Sequence, residues 1–420
     1  MVVVFKLVTF LIGTLIILKM TKTYFVNKNF NTIFYPAAVV YFFMYLPLIY
    51  DVLIGRPNYK SLNYGFILSG QDLLTELVYL IVILYILIML RRFQVRKHFS
   101  ETIHNNYLST NVAFFVFMAI VTIILVPVIM DNRLLGVILS YEIFYYEDEH
   151  TNNIKLFGQL IIFASLFVLF VEKRKTYFFM KLFILLPIIY FAFLMNGKRN
   201  TVFIFFVGLI YIFISNKVFK RKRTYGLLIS FTLIFLLSFS SFYQNYFDRV
   251  SGDSFEDEYT SFRINYGRDD TLKMALYSEI HREQLEVLDY RGQSLLFYPL
   301  FFIKREIWPN KPYPYAVYFT NAMIGINKTK ILGWGMTTSI FDELTSNLSW
   351  IGLVVSPFFL IFLCNLGMRH NIGLVGNAII SITIFLAMLA VAVEITAFLS
   401  LYIFLFISII IYKIKNRLRV

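Results

Sequence analysis

Runs of about 20 apolar residues, separated by short polar connections, recur along the chain from Val2 onward. A bilayer hydrocarbon core is roughly 30 Å thick, so each such run is long enough to cross it as a helix. The pattern predicts spans at 2–18, 32–54, 71–90, 111–130, 154–171, 177–195, 201–215, 225–242 and 348–366. A last apolar stretch, 372–411, is long enough for two helices that turn near Glu394. The expected fold is all-α: a polytopic membrane protein of about eleven transmembrane helices. The first run resembles a signal peptide in length, but it lacks a basic leading region and a small-residue cleavage site before Lys19, so it reads as a retained helix.

Composition agrees with this pattern. The 420 residues are 59% hydrophobic and 15% charged, whereas a soluble domain is about a quarter charged. A net charge of +14 would suggest nucleic acid in a soluble protein. Here the basic residues cluster between apolar runs, where they act as topology signals, and no nucleic-acid partner is expected. The connections 19–31, 91–110, 172–176, 216–224 and 368–371 and the tail from 413 hold about half of the Lys and Arg, but only Glu101 and Glu172 among the acids. The positive-inside rule puts them in the cytoplasm, with the N-terminus outside and the C-terminus inside. A single cysteine, Cys364, lies within an apolar run and implies neither a disulfide framework nor a thiol cluster.

Three regions follow: an N-terminal transmembrane bundle (1–242), a large helical extracytoplasmic loop (243–347) and C-terminal transmembrane helices (348–420). The loop holds 14 acidic and 11 basic residues, a mixture unlike the rest of the chain. Long loops of this kind are usually functional. Within it, Asp269 and Asp270 are placed to cap a helix running to about Asp289, with Leu272, Leu276 and Ile280 on one face. The segment 294–307 has an apolar front followed by Lys304, Arg305, Trp308 and Pro309, which suits a helix or re-entrant piece at the membrane interface.

Candidate chemistry gathers on the outer side. In the tight turn Asn196-Gly197-Lys198-Arg199-Asn200, two cations face outward against the topology rule. They either grip a phosphate or diphosphate headgroup or simply snorkel to lipid headgroups. Arg291-Gly292-Gln293-Ser294, Lys304-Arg305-Glu306 and Trp308-Pro309-Asn310-Lys311-Pro312 form either an anion cradle or an ordinary interfacial belt. Arg263 and Arg268, near Asp269 and Asp270, read as surface ion pairs of little energetic weight. Asp342 and Glu343, with His281 and Glu306 behind them, are candidate general bases. The plainer reading makes the two acids helix caps and His281 part of a solvated face beside Glu279, Arg282 and Glu283. There is no P-loop, no dinucleotide fingerprint and no zinc-type spacing among the five histidines, so neither metal nor cofactor is expected.

The arrangement resembles the Wzy-type polymerases that assemble O-antigen and capsule from oligosaccharide repeat units. The resemblance lies in the number of spans, the large outer loop before the last three, and the string from Arg291-Gly292-Gln293-Ser294 to Phe302-Ile303-Lys304-Arg305-Glu306-Ile307-Trp308-Pro309-Asn310-Lys311-Pro312. Lys304 stands where that family usually has proline. Gly335-Met336-Thr337-Thr338-Ser339-Ile340-Phe341-Asp342-Glu343, followed by Asn347 and Gly352, is similar to the family's Gly-x-x-x-Ser and acidic pattern. Gly197-Lys198-Arg199 resembles its outward Gly-Ser-Arg turn. The resemblance implies a metal-independent glycosyltransferase in the bacterial cytoplasmic membrane that transfers a growing glycan from a polyprenyl diphosphate to the next lipid-linked unit. Its partners would be that lipid-linked oligosaccharide, membrane lipids and a chain-length regulator. Lys198, Arg199, Arg268, Arg291, Arg305 and Lys311 would hold the diphosphate, and Glu343, Asp342 or His281 would take the acceptor proton. A glycan ligase using the same donor and a lipid-linked oligosaccharide flippase or other transporter are the rival readings. Spans nearly free of charge weigh against transport.

Overall fold

The structure is a computed structural model that describes residues 2–27, 31–59, 63–96, 108–140, 149–172, 174–197, 199–216, 254–326, 335–370, 373–393 and 399–417, with scattered positions between 218 and 238. Among the described residues the regular structure is entirely helical. The N-terminal helices are α1 (Val2–Phe25), α2 (Phe34–Leu53, with a π turn at Tyr41–Tyr45), α3 (Tyr64–Gln71) and α4 (Leu73–Arg96). Next come α5 (Leu108–Met130), α6 (Asn132–Leu139), α7 (Glu149–Val171), α8 (Lys175–Asn196) and α9 (Arg199–Ser215). The loop holds α10 (Phe255–Tyr266), α11 (Asp269–Ile280) and α12 (Tyr315–Ile324), and the chain ends with α13 (Ile340–Arg369), α14 (Gly373–Ala392) and α15 (Leu399–Arg417).

Among the described residues, α1, α2, α4, most of α7, α8 and α13 are long and apolar enough to cross a membrane. They make six spans, or seven if α5 and α6, bent by 99°, count as one. The expectation was about eleven. The difference lies in shorter pieces: α9 runs 17 residues, and the apolar helical stretches of α14 and α15 are Ile379–Ala392 and Leu401–Ile414. Much of 225–242, together with Glu394, lies outside the described residues.

Helix α1 shows the reversed polarity that lipid imposes. Lys6, Thr9, Gly13, Ile16, Met20 and Tyr24 recur every three or four residues and are buried, while Val4, Leu11, Leu15 and Leu18 are exposed. In water such a helix would turn its leucines inward; beside acyl chains it turns its polar groups inward.

The chain divides into two compact units, residues 1–102 with 250–371 and 382–420, and residues 103–249 with 372–381. In the first, α11 packs against α3, α4 and the start of α13. The core of the loop joins Phe66 of α3 to Met274, Tyr277, Tyr315, Phe319 and Met336. Each such aromatic contributes roughly 1.5–3 kcal/mol by leaving water, so the loop is bound to the short helix α3 by a shared core. Helix α11 stops at Ile280 rather than near Asp289. Residues 281–289 instead form turns, which lets Leu285, Val287 and Leu288 enter that core. In the second unit α7 and α8 pair along their length, and Lys181 meets Glu172 at 2.6 Å. Gly197 closes α8 in the left-handed conformation, with φ of 67°, and α9 begins two residues later. This is the tight turn its sequence predicts.

Helix α13 is two helices joined at Ser349, whose φ of 58° and ψ of −148° lie where side-chain-bearing residues rarely go. The break frees carbonyls at the end of the first piece. Arg291 takes that of Ser346 at 3.0 Å, the Gly292 amide takes that of Asn347 at 3.1 Å, and Ser349 Oγ donates to Glu279 at 2.6 Å. The bend also brings Gly352 against Leu344, where an added Cβ would lie 1.9 Å from the carbonyl oxygen. Gly352→Ala is therefore expected to lower stability by about 1–3 kcal/mol, as overpacking does. An unchanged thermal midpoint in detergent would show that the bend yields freely.

Candidate functional site

Two polar assemblies occupy the first unit. The first is a buried lattice of charge drawn from distant parts of the sequence. Lys6 of α1 lies 2.6 Å from Asp51 of α2 and 3.2 Å from Glu76 of α4. Arg56 reaches Glu76 at 2.7 Å. From the loop, Arg263 of α10 meets Asp51 at 2.5 Å, Asp269 at 2.6 Å and Asp270 at 3.3 Å. Lys273 of α11 contacts Asp269 at 3.1 Å and Glu76 at 3.5 Å. Tyr59 donates a short hydrogen bond to Asp270.

Here the structure corrects the sequence reading of Arg263. Arg263 is 1% exposed, so its pairs with Asp269 and Asp270 are interior ones. Lys6, Asp51 and Glu76 lie within helices of membrane length and are among the few charges those spans carry. Because α1 contributes its beginning, α2 its end and α4 its beginning, the three helices alternate in direction and share one end with the loop helices. Burial, aided by Asp270, pushes the Asp269 carboxyl up to about 6 against the pull of Arg263 and Lys273. Burial works against the Lys273 ammonium, yet Glu76, Asp269 and Asp51 hold its pKa above the usual lysine value. Every carboxylate faces a cation, and among the described residues no group of His, Cys, Asp or Glu is arranged as metal ligands.

The second assembly joins the strings singled out by sequence. The first piece of α13 buries Asp342, Glu343 and Asn347. Tyr298 donates a short hydrogen bond to Glu343 Oε1. Asn347 Nδ2 donates to Ser294 Oγ at 2.7 Å and to the Glu343 carbonyl at 2.8 Å. Asp342 Oδ1 accepts from the Ser339 amide at 2.6 Å and the Ser339 hydroxyl at 2.5 Å, which makes it the N3 member of a capping box. Its Oδ2 is buried with no hydrogen-bond partner among the described residues. Tyr315 closes the site from α12, bonded to Ser346 Oγ at 2.8 Å and the Asp342 carbonyl at 3.2 Å.

The predicted cations have protein partners. Arg291 grips both oxygens of Glu279 and edges a shallow surface depression that Ser278, Arg282, Glu286, Tyr290 and Ser346 help line. Arg305 donates to the carbonyls of Lys311 at 2.6 Å and Pro312 at 3.0 Å and lies 3.6 Å from the Tyr313 ring centre. Lys311 donates to the carbonyls of Phe301 at 2.7 Å and Ile303 at 2.8 Å and sits over Phe297, next to Tyr298. Burial and then Arg305 lower the Lys311 pKa from its ordinary value. Arg268 donates to the Ala392 carbonyl at 2.7 Å, lies over Phe43 and exerts an electrostatic pull on Asp342.

His281 stands at the other end of α11, 3.2 Å from Asp72 and with its ring tilted against that of Tyr277. It is thus about 20 Å along that helix from Arg268. Arg199 opens α9 in the second unit with its side chain beyond the described atoms, and Lys198 lies outside the described residues. Glu343, Asp342 and Arg291 therefore share a site with Tyr298, Ser294 and Asn347, and His281 is remote from Arg268. Tyr298 escaped the sequence reading, although it lies between two strings that were noticed. No family model, curated protein or solved structure matches the chain.

Proposed function

We propose that the protein is a polymerase of lipid-linked oligosaccharide repeat units, acting at the outer face of a bacterial cytoplasmic membrane. The observation that carries this reading is the meeting of two separate strings that both resemble the Wzy-type family. Ser294 from one, and Tyr298 just after it, are hydrogen-bonded to Asn347 and Glu343 from the other. In the proposed reaction the acceptor sugar hydroxyl attacks the anomeric carbon of the donor, and the bond from that carbon to the diphosphate oxygen breaks. The electron pair leaves with the polyprenyl diphosphate, and Glu343 receives the hydroxyl proton. Arg305 and Lys311 exchange their carbonyl partners for phosphate oxygens, which are stronger acceptors than carbonyls, and Arg291, held by the Glu279 carboxylate, adds its positive charge beside them. That exchange stabilises the leaving group without metal. About eleven spans, an extracytoplasmic loop and the N-out, C-in orientation complete the proposal and rest on the charge pattern of the connections.

A second reading has an observation of its own. Lys6, Asp51 and Glu76 are ionisable groups buried in helices of membrane length, a pattern found along substrate paths in transporters. One experiment separates the two. Purified protein in vesicles is given defined lipid-diphosphate repeat units without nucleotide or metal, and the products are resolved by size. A ladder of longer glycans is expected. Movement of labelled lipid across the bilayer with no ladder would make the protein a transporter instead, and a single transfer to a different acceptor would make it a ligase.

A further inference from the structure

Residues 295–310 form a succession of turns with one short 3-10 turn, Leu295–Phe297, where the sequence allowed a helix. Their shape is fixed from within by the two stapling cations, Arg305 and Lys311, which together occupy the carbonyls of Phe301, Ile303, Lys311 and Pro312. With the backbone held this way, large apolar side chains point outward. Ile307 is 77% exposed and Phe302 67%, and Leu296 and Phe301 are exposed as well. Lys304 is exposed among them, and Trp308 is half-buried.

A loop in water would hide such residues, since soluble surfaces rarely gather large apolar side chains in one short segment. The position of the loop identifies what covers them. It is fastened by Gly292, Ser294 and Tyr298 to Asn347 and Glu343, just before the Ser349 break. Immediately beyond that break, Trp350, Ile351, Val354 and Phe362 form the exposed apolar side of a helix long enough to cross a membrane. The loop thus continues a lipid-facing surface, and its mixture of basic, aromatic and aliphatic side chains is the one that favours the headgroup boundary.

We propose that residues 295–310 are a membrane wedge, with Phe302 and Ile307 entering the acyl chains and Lys304 remaining among the lipid phosphates. Spin labels at F302C and I307C, each in a C364S background, test this in vesicles of phosphatidylcholine and phosphatidylglycerol. Positions 302 and 307 are expected to be open to oxygen and shielded from a water-soluble nickel chelate, as is a label at F362C. A label at E283C, on the exposed part of the loop, gives the opposite result. Nickel access at 302 and 307 equal to that at 283 overturns the wedge. A second measurement needs no added cysteine. With W334F and W350F leaving Trp308 alone, lipids brominated on the acyl chains are expected to reduce its emission, and equal emission in brominated and plain vesicles overturns the proposal.

Discussion

Arg263→Met is expected to destabilise the protein by about 3–5 kcal/mol, the usual effect of removing one partner from a buried ion pair. The loss arises because the guanidinium joins Asp51, Asp269 and Asp270 with two nitrogens and is itself 1% exposed. Lysine cannot replace it, because a single ammonium does not span three carboxylates. The pH dependence has a definite sign. The folded-state pKa of Asp269, about 6, lies above its ordinary value of 3.8, so ionising this carboxyl costs stability once the pH is above the folded value, and the cost fades as the pH falls toward the unfolded one. The deficit of Arg263→Met should therefore shrink between pH about 8 and about 5. Thermal midpoints in detergent check both points, and pairing Arg263→Met with Asp269→Asn should recover part of the loss. A variant as stable as the parent at neutral pH would mean that the lattice is solvated.

Glu343→Gln is expected to slow glycan elongation by about 10²- to 10⁴-fold, the loss typical of removing a general base, while the protein still reaches the membrane with little change in stability. Its neighbour should behave differently. Asp342 uses Oδ1 to cap α13, so Asp342→Asn should weaken that helix start by about 1 kcal/mol and leave most elongation intact. The ladder assay on both variants, with thermal midpoints measured in parallel, distinguishes the two carboxylates that the sequence left as alternatives. Wild-type ladders from Glu343→Gln would remove it from the reaction.

The helices were legible because lipid demands unbroken apolar runs, and the predicted spans 32–54 and 177–195 correspond to α2 and α8 within two residues at either end. The capping role of Asp342 was equally legible, since Ser339 stands three residues before it. The charge lattice was not. Lys6, Asp51 and Glu76 each stand near the end of an apolar run, and the Arg263 that meets Asp51 is 212 residues away. Spacing along a chain carries no sign of a pair so distant. Residues 295–310, which the sequence reads as a helix or a re-entrant piece, form turns, and the staples that shape them run from side chain to backbone carbonyl, bonds that leave no periodic trace. Tyr298 had no signal of its own, being one aromatic residue among many.

The lattice also bears on how the chain is built during synthesis. Lys6, Arg56, Asp51 and Glu76 come from the part of the protein made first and are neutral as a group, and so are the later Arg263, Lys273, Asp269 and Asp270. A nascent chain can therefore seat its first helices in the bilayer without stranding net charge there. The loop then arrives as a second neutral quartet that locks onto the first.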